Sequence, residues 1–306
     1  MEAHNTATST RSRPEAVPQE ILDFYLAPGA MTSTDGHASL FEVLPHDMAG
    51  LVRVVQGLLL HEHFAPAYGI ALSAERRGES QLRSVPQMLN RLLARDGRPL
   101  SAARPLDARL VGVCRHFTVL LVAMLRARRV PARARCGFGT YFNAGRFEDH
   151  WVCEYWNAAQ RRWILVDAQL DALQREKLKI DFDTLDVPRD RFVVAGEGWA
   201  QCRAGTVDPS AFGIFDIRGL WFVAGNVVRD AAALNNMELL PWDIWGAMLR
   251  PGEEPQDGQA AFLDRLAELT RSPDLGFAEL RKLYDDPRLQ VPPVVFNALL
   301  NRPESI

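Results

Sequence analysis

Apolar residues follow helical spacing over the first third of the chain. Asp47 precedes the segment MAGLVRVVQGLLLHEH (48–63), in which one helix face carries Leu51, Val54, Val55, Leu58 and Leu59. A second helix is predicted over VPQMLNRLLARDG (85–97), with Pro86 in its first turn and Gly97 at its end. We therefore expect a helical N-terminal lobe over 20–100, after a polar, disordered tail over 1–19.

The pattern changes over residues 101–170. The segment RHFTVLLVAMLRARR is apolar on almost all sides, as a buried central helix requires, and Pro131 prevents its continuation. Strands are predicted over ARARCGFGTYF, HWVCEYW and RWILVD, and NAAQ (157–160) fits a hairpin loop between the last two. A buried helix followed by antiparallel strands predicts an α+β core.

The rest of the chain is less regular. Residues 171–250 are rich in glycine and aromatic residues, and we treat them as an extension of a core that spans 101–250. PGEEPQDGQ (251–259) has the composition of a linker. QAAFLDRLAELT and FAELRKLY predict amphipathic helices, so 251–306 is expected to be a linker with C-terminal helices.

Composition and charge narrow the class of protein. The chain has 306 residues and a net charge of -3, so it carries no overall basic surface for nucleic acid. The chain contains no run of about 18 apolar residues, so no membrane span is predicted. The polar first residues lack a secretory signal, and we therefore expect a cytoplasmic protein. The four cysteines show no CxxC spacing, which argues against a zinc or redox motif. His61 and His63 are candidate metal ligands, but histidines that favour a helix C-terminus explain HEHF better.

The predicted hairpin brings two polar residues together. With 157–160 as the loop, Trp156 pairs with Arg161, and the same register places His150 directly opposite Asp167. An aspartate there would accept the imidazole N–H and fix its tautomer, as a base that activates a nucleophile requires. A slip of one residue would put the two side chains on opposite faces of the sheet.

Cys114 begins the buried helix, within RLVGVCRHF. The unpaired N–H groups and the positive dipole end of a helix N-terminus favour a thiolate, and a nearby imidazolium would favour it further. The backbone N–H of Cys114 could also bind an oxyanion, and Gly112 permits close approach of the backbone. The helix thus offers a nucleophile, and the hairpin offers a base and its orienting group.

These segments resemble a known family of enzymes. GVCRHF, the helix end ARRVPARAR, and the strands DHWVCEYW and WILVDAQ are similar to transglutaminase-like cysteine enzymes, in particular to bacterial members. The resemblance covers about residues 105–170. It implies a papain-like fold, with the Cys at the start of a core helix and the His and Asp on adjacent strands, and hence a triad of Cys114, His150 and Asp167.

The resemblance leaves the substrate open, because members include peptidases, amidases, amide-forming acyltransferases, cross-linkers and inactive scaffolds. Many members have Asp-Pro after the second strand, whereas Ala168 follows Asp167 here; proline has no chemical role at that position. We expect a thioester intermediate, no metal or organic cofactor, and hydrolysis of a peptide or amide bond. The alternatives are transfer to an amine acceptor and a non-catalytic scaffold.

Further candidates lie around the predicted triad. Arg115, beside the nucleophile, fits either a substrate carboxylate or a structural anchor. Trp151 and Trp199 are candidate substrate-binding residues, and Trp199 lies between glycines in a segment suited to a groove wall, although most tryptophans are expected in the core. The resemblance to papain-like folds implies a second oxyanion donor from a side chain upstream of the cysteine, and the side chains of suitable chemistry there are Gln56, Tyr68 and Gln87.

Overall fold

The computed structural model describes residues 17–306, so most of the predicted tail over 1–19 lies outside the described residues. The helices are α1 (Gln19–Leu26), α2 (Met48–Leu58), α3 (Ala74–Arg77), α4 (Val85–Arg95), α5 (Cys114–Ala127), α6 (Ala172–Leu178), α7 (Ala195–Arg203), α8 (Leu220–Ala233), α9 (Asp257–Arg271) and α10 (Phe277–Leu283). The strands are β1 (Leu59–His61), β2 (Leu110–Gly112), β3 (Ala132–Gly139), β4 (Phe147–Asn157), β5 (Arg162–Val166), β6 (Phe192–Val194), β7 (Phe212–Ile214), β8 (Ile217–Arg218), β9 (Asp243–Ile244), β10 (Val294–Asn297) and β11 (Arg302–Ser305).

A six-stranded sheet forms the centre of the fold, in the order β6–β3–β4–β7–β8, with β5 paired to β4 beside that path. Two strands pair with different parts of the long strand β4. Its first two residues pair with β7 in parallel, and its last five pair with β5 in antiparallel fashion. Helix α5 packs through a large apolar cluster against β3 and β4, which explains why it is apolar on nearly every side. This combination confirms the predicted α+β class.

A second apolar cluster joins the other large helices to the sheet. It contains residues of α7, α8 and α9 together with Phe138 and Phe212 from β3 and β7. The region 171–250 thus supplies helices that cover the sheet. Within residues 17–306, no helix is long and apolar enough to cross a membrane.

The β4–β5 hairpin has a different register from the predicted one. Asn157 pairs with Arg162 and Trp156 with Trp163, a shift of two residues from the expected pairing. This register makes 158–161 the loop. Within it, Arg161 adopts a left-handed backbone (φ 52°), and Asn157 Oδ1 accepts the Gln160 N–H at 3.0 Å. A shift of two keeps each side chain on its face of the sheet, so His150 and Asp167 remain on the same side.

The first long helix is shorter than predicted. Asp47 caps it by accepting the Gly50 N–H at 2.8 Å, as expected, but α2 ends at Leu58. Leu59–His61 form β1 instead, parallel to β2, with His61 level with Gly112. His61 therefore does not occupy the helix terminus to which the sequence assigned it.

The C-terminal region folds back onto the N-terminal half. Helices α9 and α10 occur where amphipathic spacing predicts them, whereas the hairpin of β10 and β11 was not predicted. The buried Arg83 side chain donates to both carboxylate oxygens of Asp243, at 3.0 and 2.7 Å, and to Glu304 Oε2 at 3.0 Å. A residue just before α4 is thus held by β9 and β11.

Candidate active site

Cys114 lies at the first position of α5, as the sequence predicted, and its exposed fraction is 7%. The first turn of the helix is fixed by His116, whose Nδ1 accepts the Val113 N–H at 3.1 Å and whose Nε2 lies 3.0 Å from the Leu82 carbonyl. Burial, followed by the charge of Arg115, lowers the pKa of His116 to about 3. His116 is therefore a neutral side chain that positions Cys114.

His150 and Asp167 form a buried hydrogen-bonded pair. His150 Nε2 donates to Asp167 Oδ2 at 2.9 Å, and each side chain is almost wholly buried. The same Asp167 oxygen accepts the Tyr141 hydroxyl at 2.7 Å, and Oδ1 accepts the Gln169 N–H at 3.0 Å. Three donors thus hold the carboxylate, and the carboxylate holds the imidazole.

The electrostatics of this pair favour a charged imidazole. Burial lowers the pKa of His150, but the Asp167 carboxylate and the Cys114 side chain outweigh burial and raise this pKa to about 10. Because Asp167 occupies Nε2, Nδ1 is the ring nitrogen that remains for Cys114. A protonated imidazole beside a thiol stabilises the thiolate, so the three side chains form a chemically coherent set.

Aromatic rings enclose His150. The Phe142 ring centroid lies 4.9 Å from the imidazole, and that of Tyr141 lies 5.8 Å away, both edge to face. Sequence reasoning missed both residues, because it extended the strand ARARCGFGTYF through them, whereas β3 ends at Gly139. Gly139 is the signal that could have found the turn: a Cβ there would approach a Phe142 ring carbon to 2.7 Å.

The residues predicted to bind substrate lie in the protein interior. Arg115 is fully buried and donates from Nε and Nη2 to the Glu238 carbonyl, which makes it an anchor between α5 and the segment before β9. Trp151 is 1% exposed and packs in the apolar cluster around α5. Trp199 is also 1% exposed, and its Nε1 donates to Asp264 Oδ1 at 2.7 Å. The structure therefore does not place these three side chains at an open groove.

The upstream candidates for an oxyanion donor are engaged elsewhere. Gln56 Nε2 donates to the Ala168 carbonyl at 3.2 Å, and the Tyr68 hydroxyl donates to Asp171 Oδ2 at 2.6 Å. Gln87 Oε1 accepts the backbone N–H groups of Arg83 and Ser84, as part of the cap of α4. Across residues 17–306, no three His, Cys, Asp or Glu side chains come together as a metal site would require.

Comparisons with known proteins bear on the same region. Residues 82–168 match the model of the transglutaminase-like superfamily. No curated protein gives a significant match. A solved structure described as a "Putative Cysteine Protease" from Cytophaga hutchinsonii aligns with 17% identity and a TM-score of 0.33, over 58% of this chain and 46% of that one. The chain thus spans less than half the length of that protein.

The superfamily match contains every member of the predicted triad and starts earlier than the resemblance inferred from motifs, at residue 82 instead of about 105. The matched segment includes α4, β2, α5 and the strands β3 to β5. In general terms this supports a cysteine-type enzyme. Over residues 82–168, the core of this chain is therefore similar to the transglutaminase-like superfamily.

Proposed function

We propose that this chain is a cysteine-dependent acyl-transfer enzyme with Cys114 as nucleophile, His150 as acid and base, and Asp167 as orienting group. The observation that carries the proposal is the buried His150–Asp167 pair, 2.9 Å between Nε2 and Oδ2, with the Cys114 side chain near enough to raise the pKa of the same imidazole. A nucleophile, a base and a third group that orients the base are the parts that covalent acyl transfer requires.

The proposed reaction proceeds through a thioester. The thiolate of Cys114 attacks the substrate carbonyl, and the C=O electron pair moves onto oxygen. When the C=O bond re-forms, the bond to the leaving group breaks and the protonated His150 gives that group its proton. Water or an amine then attacks the thioester, with His150 accepting its proton, and the Cys114 thiolate leaves. These steps need only side chains of the chain itself.

The first choice of reaction is hydrolysis of a peptide or amide bond, with water as the acceptor. Amide formation with an amine acceptor is the second candidate, and the enclosure of the site favours it. Cys114 is 7% exposed and His150 is 1% exposed, beneath the Phe142 ring. A site that restricts water is what transfer to an amine demands.

The test of the proposal is the pH dependence of Cys114 alkylation by iodoacetamide, located by peptide mass spectrometry. We expect Cys114 to react well below pH ~8.5, the free-thiol value, and His150→Ala to abolish that reaction. Cys202 is the internal reference, because it is half-buried and burial raises the pKa of its thiol to about 11. An ordinary thiol profile at Cys114 would refute the proposal and favour a non-catalytic scaffold.

The acceptor is then identified with short peptide, amide and thioester donors, each with and without added amines. Release of free acid that amines do not alter indicates a hydrolase. Amide product that forms at the expense of free acid indicates a transferase. Cys114→Ser is the matched inactive variant for both assays, since a serine hydroxyl is far less ionised than a thiol at neutral pH.

A further inference from the structure

His61 lies beside the nucleophile although it is remote in sequence. The parallel pairing of β1 with β2 sets His61 level with Gly112, two residues before Cys114. Its ring centroid is 6.2 Å from that of Phe117, which lies one helical turn along α5 from Cys114. The local geometry thus puts this imidazole next to the N-terminal turn of α5.

One nitrogen of the His61 ring, Nδ1, has no hydrogen-bond partner among the described residues. The residue is 7% exposed, and Nδ1 is buried without a partner among the residues that the structure describes. Buried polar atoms nearly always have a partner, so an orphaned imidazole nitrogen calls for a specific explanation. A ligand atom that arrives with the substrate supplies one.

The charge state of His61 suits a donor to an oxyanion. Burial is the largest effect and lowers the pKa of His61 well below 6.5, and the neighbouring imidazoles of His63, His150 and His116 lower it further. The ring is therefore neutral at working pH and keeps one N–H that it does not give away.

We propose that His61 donates its Nδ1–H to the carbonyl oxygen of the acyl group on Cys114, as the second oxyanion donor beside the Cys114 backbone N–H. This inference rests on the proposed function. As the sulfur–carbon bond forms, the C=O electron pair moves onto oxygen, and His61 stabilises that charge through its hydrogen bond. The pair returns when the leaving group departs with its proton from His150, and His61 remains neutral throughout. Gln56 and Tyr68 direct donors to Ala168 and Asp171, and Gln87 is held in the cap of α4 through its Oε1.

The experiment separates attack on a carbonyl from reactivity of the thiolate. Acylation of Cys114 is followed by p-nitrophenolate release from p-nitrophenyl acetate, and alkylation by iodoacetamide is measured on the same samples. Alkylation forms no oxyanion, so it reports only the thiolate and its imidazolium. In His61→Ala we expect acylation to slow by about 10²–10³-fold, as for loss of one oxyanion donor, and alkylation to stay within about twofold.

Two further variants complete the design. His61→Gln retains an N–H donor and should recover at least about tenfold of the acylation rate lost in His61→Ala. His63→Ala, at an exposed neighbour, should behave as wild type. Acylation by His61→Ala at the wild-type rate would overturn the inference, and so would equal loss of alkylation, which would assign His61 to the fold or the thiolate pair. A wild-type Cys114 that is neither activated for alkylation nor acylated would instead overturn the proposed function, and this inference with it.

Discussion

Replacing Asp167 with asparagine removes a charge from the proposed triad while nearly preserving its shape. Asp167 accepts hydrogen bonds from His150, Tyr141 and the Gln169 backbone, and an asparagine oxygen retains part of that capacity. What asparagine cannot supply is the negative charge that stabilises the imidazolium. The variant therefore tests whether Asp167 keeps His150 protonated.

The size of the effect follows from the pKa of His150. Burial disfavours its charged form, yet Asp167 and Cys114 bring the pKa to about 10 from the ordinary 6.5. At 1.36 kcal/mol per pKa unit, that difference corresponds to about 5 kcal/mol in favour of the charged imidazole. Without the Asp167 charge, burial dominates, so the pKa should fall below 6.5 and Cys114 should lose its counter-ion.

The assay is the iodoacetamide rate of Cys114 at pH 6 and pH 9, measured for wild type and Asp167→Asn. We expect wild type to react at similar rates at the two values, because the proposed function requires a thiolate paired with His150, and His150, with a pKa of about 10, stays charged at both. An ordinary thiol with a pKa near 8.5 is about 200-fold less ionised at pH 6 than at pH 9, so Asp167→Asn should show a ratio on the order of 10².

Tyr141→Phe is the matched control, because it removes one hydrogen bond to Asp167 and keeps the carboxylate. It should retain the flat profile of the wild type. If Asp167→Asn, with a native circular dichroism spectrum, also keeps a flat profile, then Asp167 does not sustain the charge of His150 and the electrostatic reasoning is wrong.

Three further predictions concern stability. The folded-state pKa of His150, about 10, lies above its unfolded value of 6.5, so its contribution to stability is complete below pH 6.5 and is lost as the pH rises toward 10. Urea unfolding at pH 6, 8 and 10 should show this loss relative to His150→Gln, and parallel curves for the two would contradict it. Arg115→Met should cost about 2–4 kcal/mol of unfolding free energy, because it removes the donor to the buried Glu238 carbonyl. Cys114 in the folded variant should alkylate at the wild-type rate. A slower rate would show that Arg115 acts on the reactivity of Cys114. Trp199→Phe should cost about 1 kcal/mol through its bond to Asp264 and leave relative kcat/KM values for different donors unchanged, so a changed preference would show contact with substrate.

Sequence patterns predicted where the residues of the proposed triad lie in the fold, because their positions follow from local rules. The buried helix was evident from its apolar residues, and its first residue is Cys114. The hairpin register was wrong by two residues, yet His150 and Asp167 still meet, because side chains alternate with a period of two and an even shift preserves their face. A register error of an odd number of residues would have placed the two side chains on opposite faces of the sheet.

Features that depend on distant partners were not predictable in this way. The three-residue strand β1 exists through its pairing with β2, about fifty residues later, so helical spacing extended α2 past its end. Arg133 and Arg135 follow the alternation of a strand and suggest a solvated face. In the structure both are buried, and they share the Glu154 carboxylate at 2.6 and 3.2 Å. Charge alone does not indicate burial when the compensating acid comes from another element.

The ion pairs that Arg83 makes with Asp243 and Glu304 limit how far the chain can be shortened. A fragment of residues 82–168 keeps all three side chains of the proposed triad, but it removes Asp243 and Glu304, the carboxylates that hold Arg83. Removing one partner of a buried ion pair costs about 3–5 kcal/mol, a large fraction of the stability of a typical domain. We therefore expect that the segment that matches the superfamily does not fold on its own, and that a deletion series loses cooperative unfolding as soon as β11 is removed.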